Sequence, residues 1–192
     1  MKTVLLLLAV ASAIGSGAAS AQDAPGMFSG IQIGKNADAM EVRLGGGFYD
    51  AGPFTPDSFT GGVVNGEFLA PSFDFLAPIG SPRPYIGAEL AVSDDPIHFV
   101  YGGLNWEAYL TERLYLGFSA GGSINSDERR VNDEGEERDL GSRVLFHLQA
   151  SAGFDITPKL GVQAYINHFS NANLGPSNDG LESSGARLTF RF

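Results

Sequence analysis

Three side chains near the C-terminus, His168, Ser170 and Glu182, are of the types that form a serine hydrolase triad. A histidine base can activate a neighbouring serine, and a carboxylate can orient the histidine ring and stabilise its charged form. Because the histidine and the serine are two residues apart, both side chains would point to the same face of an extended strand. The residue types therefore predict a nucleophilic hydrolase site, provided that the fold brings the glutamate to the other two.

Other polar residues compete for roles at this site. Asn171 follows the serine, and its amide or a loop N–H group is a candidate oxyanion donor, although asparagine also suits a turn. Asp179 is a rival carboxylate, but its sequence context, Asn-Asp-Gly, is typical of a turn, so the later glutamate is preferred. His147 is predicted on the interior face of its strand, and His98 begins a strand with no serine beside it.

The chain begins like an exported protein. Lys2 precedes an apolar run at residues 4–14, which is followed by Ala-Ser-Ala at residues 19–21. A positive start, a short apolar core and small residues at a cleavage site are typical of a secretory signal peptide. We therefore expect a signal peptide at 1–21, an N-terminal periplasmic segment at 22–38 and one domain at 39–192.

Composition excludes several kinds of function. The 192 residues include no cysteine, so thiol nucleophiles and thiolate metal sites are ruled out. The formal net charge of −10 argues against a nucleic-acid-binding surface. After the first twenty residues no long apolar stretch suggests a membrane-spanning helix.

The rest of the chain alternates apolar and polar residues with the period of a β-strand. In residues 159–170, Leu160, Val162, Ala164 and Ile166 occupy even positions, while the odd positions are mostly polar. The same alternation, with apolar residues at even positions, recurs in seven further segments: 41–45, 64–70, 85–92, 100–110, 114–121, 143–156 and 185–192. Eight amphipathic strands, an even number, predict an all-β, eight-stranded antiparallel barrel.

The polar face indicates which side of the barrel is the interior. It carries charges of both signs together with glycine and tyrosine; the charged residues are Glu41, Glu67, Glu89, Glu107, Arg43, Arg143, Arg187 and Arg191. Eight strands enclose space only for side chains, so paired charges and small residues suit the lumen, and the apolar face would then contact lipid. We interpret the chain as a transmembrane barrel of the outer membrane; a soluble lipocalin-like barrel or a β-sandwich is the alternative.

The connections between strands differ in length. Those at 77–83, 111–112 and 157–158 are short or rich in turn residues, whereas 49–60, 125–140 and 171–181 are longer and polar, and 93–96 is a short exception among the latter. Short periplasmic turns and long outer loops are typical of outer-membrane barrels. The charged loop at 125–140 is interpreted as a solvated surface loop in preference to a glycolipid-recognition loop.

The parity of the strands places the three reactive side chains on the lipid-facing wall. His168, Ser170 and Glu182 are all even-numbered and flank the same loop, 171–181, in neighbouring strands. Polar groups on a lipid-facing surface are costly near the bilayer centre and therefore indicate function. The alternative is that they lie above the apolar band, in the head-group zone, where polar residues cost little.

The sequence His168-Phe169-Ser170-Asn171-Ala172, followed by Asn178-Asp179-Gly180-Leu181-Glu182, resembles the signature of the outer-membrane lipid A 3-O-deacylases. The resemblance implies that Ser170 is the nucleophile, His168 the general base and Glu182 the group that orients the histidine, with Asn171 beside the oxyanion site. It further implies hydrolysis of the ester-linked acyl chain at the 3-position of lipid A, without a metal or another cofactor. The site would face the outer leaflet of the outer membrane.

Two other functions remain open at this point. An outer-membrane phospholipase A also carries a histidine and a serine two residues apart, but such enzymes are longer, pair the histidine with asparagine and use calcium. A small barrel can also be a structural or adhesion protein without catalysis. A homodimer is a further open alternative for the assembly of the chain.

Overall fold

The computed structural model describes residues 30–55, 59–133 and 135–192. The predicted signal peptide, and residues 22–29 of the predicted segment 22–38, lie outside the described residues. Among the residues described, no helical segment reaches the length and apolarity that a bilayer-crossing helix requires.

The described residues form eleven β-strands and one short 3-10 helix. The helix is Asp74–Ile79. The strands are β1 (Gln32–Ile33), β2 (Glu41–Tyr49), β3 (Gly62–Leu69), β4 (Arg83–Val92), β5 (Phe99–Tyr109), β6 (Leu114–Asn125), β7 (Arg129–Val131), β8 (Glu137–Asp139), β9 (Val144–Asp155), β10 (Leu160–Ser170) and β11 (Leu181–Arg191).

The eight long strands close into an antiparallel barrel. Each pairs with the next long strand along the chain, and β11 pairs with β2 to close the cylinder. The short strand β1 extends the sheet beside the end of β5, while β7 and β8 form a separate hairpin within the loop that joins β6 to β9. Closure leaves no long sheet edge unpaired, which is the condition for a sheet to cross a bilayer. The predicted eight-stranded barrel is confirmed.

The alternation predicted from the sequence holds along all eight long strands. Large apolar side chains at even positions are exposed, and the side chains at odd positions are mostly buried. The exposed set includes Val42, Leu44, Phe48, Val64, Phe68, Ile86, Leu90, Val100, Leu116, Ile124, Phe146, Phe154, Val162, Leu188 and Phe190. An apolar outer wall around a polar interior is the arrangement of a transmembrane barrel.

Ion pairs fill the interior of the barrel. Arg43 lies 2.6 Å from Glu41, 2.6 Å from Glu107 and 3.3 Å from Glu67. The same network contains the pairs Arg83–Glu41, Arg83–Glu107, Arg187–Glu67, Arg191–Glu41 and Arg191–Asp155. Because a lumen of this size has room only for side chains, the charges neutralise one another there.

One predicted interior residue lies elsewhere. Arg143 precedes β9, its side chain is 56% exposed, and it donates to the backbone carbonyl of Ser126 in the outer loop. The strand begins one residue later than predicted, so the alternation does not reach this arginine. Arg83, predicted in a turn, takes a place in the interior because β4 begins at that residue.

Removing Arg43 is expected to destabilise the barrel strongly. An Arg43→Ala substitution removes the cation that contacts three buried carboxylates; each keeps another arginine, but the interior is left with one uncompensated negative charge. Leaving a buried charge uncompensated costs about 3–5 kcal/mol. Urea unfolding in detergent micelles, followed by the fluorescence of the single tryptophan, Trp106, measures the loss. The exposed pair Arg129–Glu137 supplies the control: Arg129→Ala should leave the unfolding midpoint unchanged. Equal midpoints for the two variants would contradict a structural role for the interior network.

The connections cluster by length at the two ends of the barrel. Residues 50–61, 93–98, 126–143 and 171–180 join strands at one end, here called the long-loop end. Two tight turns, 110–113 and 156–159, lie at the opposite end. The third connection there, 70–82, is longer than the sequence indicated because it contains the 3-10 helix. His168 and Ser170 lie where β10 reaches the long-loop end.

Candidate active site

Strand pairing brings the three predicted reactive residues together. In the register of β10 and β11, His168 is directly opposite Glu182. In the register of β10 and β9, Ser170 is opposite Phe146, whose side chain is exposed on the outer wall. Directly opposed residues share one face of the sheet, so the histidine and the glutamate meet across the strands while the serine lies two residues along the same face.

The side chains form a hydrogen-bonded chain. His168 Nδ1 lies 3.0 Å from Glu182 Oε1, and His168 Nε2 lies 3.0 Å from Ser170 Oγ. An ionised carboxylate only accepts hydrogen bonds, so it selects the tautomer with the proton on Nδ1. The other ring nitrogen then accepts the serine hydroxyl proton. This geometry suits proton transfer from the hydroxyl to the ring.

Glu182 lies on the outer wall yet is fully buried, because the loop between β2 and β3 covers it. Its Oε2 accepts hydrogen bonds from the backbone N–H of Phe54 at 2.8 Å and of Thr55 at 3.1 Å, and from the Thr55 hydroxyl at 3.4 Å. A Cβ atom at Gly52 would overlap the glutamate side chain, so glycine permits the close approach of this loop. One carboxylate oxygen is thus fixed by the loop and the other faces the histidine.

These loop donors could not be predicted from the amino-acid sequence. Phe54 and Thr55 act through backbone N–H groups, which leave no signature in the amino-acid types. Phe54 also presents the edge of its ring to His168, with centroids 6.1 Å apart and an interplanar angle of 83°. The aromatic ring therefore flanks the imidazole on the outer wall, where it is 49% exposed.

A groove of about 630 Å³ lies at the long-loop end of the barrel, and Asn171, the residue after the serine, is part of its lining. Its walls come from β6, β9 and the loops at the long-loop end, and its lining includes Gly122, Val144, Phe146, Leu174 and Gly175. Phe146 is the register partner of Ser170. The groove is mostly apolar, so it can accommodate a hydrocarbon chain.

Asn171 lies next to the serine but its donors are engaged in the loop. Its side-chain nitrogen donates to the carbonyls of Leu140 at 2.8 Å and Ser177 at 2.5 Å, and its backbone N–H donates to Asn178 Oδ1 at 2.8 Å. The residue is buried. In this geometry Asn171 holds the loop after β10 in place. The proposed role of Asn171 as an oxyanion donor stays a prediction, and it would require one of these hydrogen bonds to be exchanged.

The rival residues have hydrogen-bond partners outside the chain that runs from Glu182 to Ser170. Asp179 pairs with the backbone N–H of Asp139 at 2.6 Å. His147 is buried in the lumen, where its ring nitrogens contact Tyr85 Oη at 2.6 Å and Asn167 Oδ1 at 3.2 Å. His98 Nδ1 accepts a hydrogen bond from the backbone of a neighbouring strand. Within the described ranges, no group of three or more histidine, aspartate or glutamate side chains could hold a metal ion.

The fold and the outward cluster together define a class of protein: an outer-membrane β-barrel with a serine, a histidine and a glutamate assembled on its outer wall. Residues 100–191, just under half of the chain, match the family model of lipid A 3-O-deacylase, PagL. The matched stretch contains all three residues of the cluster. The resemblance that the last two strands indicate is therefore confirmed, and so is the predicted location in the outer membrane.

Solved structures share the barrel. The outer membrane enzyme PagL matches with a TM-score of 0.57 at 17% identity, over 78% of this chain and 98% of that one. The N-terminal β-barrel domain of Pseudomonas aeruginosa OprF matches with a TM-score of 0.55 at 12% identity, over 81% and 98%. Neisserial surface protein A matches with a TM-score of 0.51 at 13% identity, over 80% and 97%. Identities this low show the fold alone. No curated protein matches the sequence.

Proposed function

We propose that the protein is a serine esterase of the outer membrane that removes the ester-linked acyl chain from the 3-position of lipid A. The single observation that carries this proposal is the chain of hydrogen bonds from Glu182 through His168 to Ser170 on the lipid-facing wall. The family match over residues 100–191 supports lipid A as the substrate.

The first half of the proposed reaction forms an acyl-enzyme. Ser170 Oγ attacks the carbonyl carbon of the ester, and His168 Nε2 takes the hydroxyl proton. Glu182 stabilises the resulting imidazolium through the hydrogen bond at Nδ1. When the tetrahedral intermediate collapses, the carbon–oxygen bond to the sugar breaks, and the histidine returns the proton to the departing 3-oxygen.

The second half releases the fatty acid. Water attacks the acyl-enzyme carbonyl while His168 Nε2 takes a proton from it, and the proton passes to Ser170 Oγ as the ester bond to the enzyme breaks. The three residues come from one chain, so the proposed chemistry does not require a homodimer. No step uses a metal ion.

The position of the site supports a substrate in the outer leaflet. The long-loop end carries the reactive residues, and long loops face the exterior in outer-membrane barrels. Lipid A lies in the outer leaflet with its ester groups near the head-group boundary, and the end of β10 at Ser170 would face that leaflet. The apolar groove beside Ser170 would hold the acyl chain, with Phe146 close to the reacting carbonyl.

Mass spectrometry of lipid A tests the proposed function. Expression in a bacterium that makes hexa-acylated lipid A should shift the lipid A ions by the mass of one ester-linked hydroxyacyl chain, while the phospholipids keep their fatty acids. Lysophospholipids with intact lipid A would instead indicate a phospholipase. Unchanged masses in both lipid classes, with the folded barrel present in the membrane, would refute an esterase function.

A Glu182→Gln substitution is expected to lower kcat by a factor of about 10²–10⁴. Glutamine is nearly isosteric but neutral, so the imidazolium loses its counter-charge and the preferred tautomer is no longer selected. Purified protein in micelles containing lipid A, assayed by fatty-acid release, provides the measurement. Asp179→Asn, the same change at the rival carboxylate, should affect kcat far less; the opposite order would assign the role to Asp179.

A further inference from the structure

The hairpin of β7 and β8 has two different sides. On one side Arg129 and Glu137 form an exposed ion pair. On the other side Arg138 and Leu140 are buried, with exposed fractions of 2% and 0%. The interpretation of this loop as solvated is correct for the first side only. A buried arginine in an outer loop is costly unless it is paired, so its partners indicate what it does.

Arg138 joins two loops that meet at the glutamate. Its Nη2 lies 2.5 Å from Asp50 Oδ2, and its Nη1 donates to the carbonyl of Gly180 at 3.2 Å. Asp50 directly follows β2, and Gly180 directly precedes β11. The guanidinium also lies over the ring of Phe59, with 5.9 Å between its central carbon and the ring centroid. One side chain thus connects the β2–β3 loop to the start of β11.

Both residues that Arg138 contacts, Asp50 and Gly180, lie in segments that border Glu182. Gly180 is two residues before it, at a left-handed φ of 68° that lets the chain turn into β11. Asp50 begins the loop whose backbone N–H groups bind the carboxylate, and the N–H of Ala51 donates to the Glu182 carbonyl at 3.1 Å. Asp50 Oδ2 also accepts from the backbone N–H of Phe59 at 2.9 Å, which closes this loop upon itself.

The hairpin has further attachments on the same side. The backbone N–H of Asp179 donates to the Asp139 carbonyl, and the backbone N–H of Asp139 donates to the Asp179 carboxylate. The Leu140 carbonyl accepts from the Asn171 side chain. The three long loops are therefore bound to one another around the outer face of the histidine and the glutamate. Arg138 is the cationic member of this set, and it contacts both loops bordering Glu182.

We propose that Arg138 is a positioning residue for the reaction: by holding the 50–55 loop against the start of β11, it fixes the carboxylate of Glu182 in line with His168. The inference rests on the proposed function of the cluster. Arg138 itself is not placed at the reacting atoms. Its effect on rate passes through Glu182, since misplacement of a catalytic group by about 1 Å can cost about 10²-fold in rate.

A double-mutant cycle tests the proposal. Arg138→Ala is expected to lower kcat about 10- to 100-fold with KM changed less than about twofold, because the groove and the serine are untouched. In the Glu182→Gln background, the same substitution should lower kcat no further. A structural role alone would give the same factor in both backgrounds, because independent effects multiply.

Two further variants keep the cycle interpretable. Arg129→Ala removes one arginine from the exposed side of the same hairpin and should leave kcat unchanged. Asp50→Asn keeps the size of the partner but removes its charge, and should lower kcat in the same direction as Arg138→Ala. If Arg138→Ala fails to fold, as judged by heat-dependent electrophoretic mobility, Asp50→Asn takes its place in the cycle.

The rate at which a fluorophosphonate labels Ser170 separates this proposal from the choice of substrate. A wild-type protein that is labelled but leaves lipid A intact refutes the proposed substrate, and the cycle can then be run on labelling rates. Two results would refute the positioning role and leave the proposed function intact. One is a wild-type rate in Arg138→Ala; the other is an equal fold-loss of rate from Arg138→Ala in the wild-type protein and in the Glu182→Gln variant. The positioning role is supported if Arg138→Ala lowers the rate only in the protein that retains Glu182 and not in the Glu182→Gln variant.

Discussion

Ser170→Ala is expected to abolish deacylation of lipid A while the barrel still folds. Loss of the proposed nucleophile would remove the covalent route, and in serine hydrolases this costs about 10⁴- to 10⁶-fold in kcat. The substitution removes one oxygen from a partly exposed position, so the barrel should keep its stability. Lipid A from expressing cells would then retain the mass of the untreated lipid.

Ser184→Ala is the matched control for this result. Ser184 occupies an even position in the neighbouring strand β11, opposite Ile166, and therefore lies on the same outer wall. It loses the same atom in the same environment without contact to the proposed chain of hydrogen bonds. Full activity in Ser184→Ala with none in Ser170→Ala would assign the nucleophile. Deacylation by purified Ser170→Ala would contradict the mechanism.

His168→Ala is expected to lower kcat by a factor close to that of the serine variant. Without the imidazole, no base is present at 3.0 Å from Ser170 Oγ to take its proton, and Glu182 loses its partner. Because the two residues act as one unit, the double variant should be no slower than either single variant. Fatty-acid release from lipid A in micelles, followed over hours, measures the residual rates.

His98→Ala provides the corresponding control among the histidines. His98 lies at the same end of the barrel and its ring accepts a hydrogen bond from the backbone of Ala91. The substitution changes the histidine content of the long-loop end without touching the reactive cluster, so activity should persist. If His98→Ala were as inactive as His168→Ala, the assignment of the base to His168 would be wrong.

Much of the barrel follows from local geometry that the sequence displays directly. A strand turns its side chains alternately to two faces, so apolar residues at even positions in eight segments define one outer wall. Because Leu160, Val162 and Ala164 share the parity of His168 and Ser170, the outward position of this pair followed without knowledge of the fold. Strand ends are less well determined by the sequence. For this reason Arg83, predicted in a turn, lies in the interior, and Arg143, predicted in the interior, is exposed in a loop.

Contacts between distant parts of the chain were beyond the reach of such patterns. The amide groups that bind Glu182 come from residues 128 and 127 positions earlier, and they act through backbone atoms whatever the side chain. Arg138 looked like one charge among many in an acidic loop, and only the packing of three loops buries it against Asp50. Likewise, the residue type of Asn171 is compatible both with an oxyanion donor and with a residue that holds the loop in place, and the sequence does not distinguish the two roles.

The sequence by itself determined the alternation, the number of strands and the face on which His168, Ser170 and Glu182 lie. Each strand is recognised from the alternation of its own residues, and that alternation also fixes the face to which a side chain points. Only the tertiary structure decided that the glutamate is buried beneath a loop, that its second oxygen is held by backbone amides and that a hairpin arginine braces both sides. Those features depend on how loops separated by many residues pack together. The period of a strand carries no information about that packing.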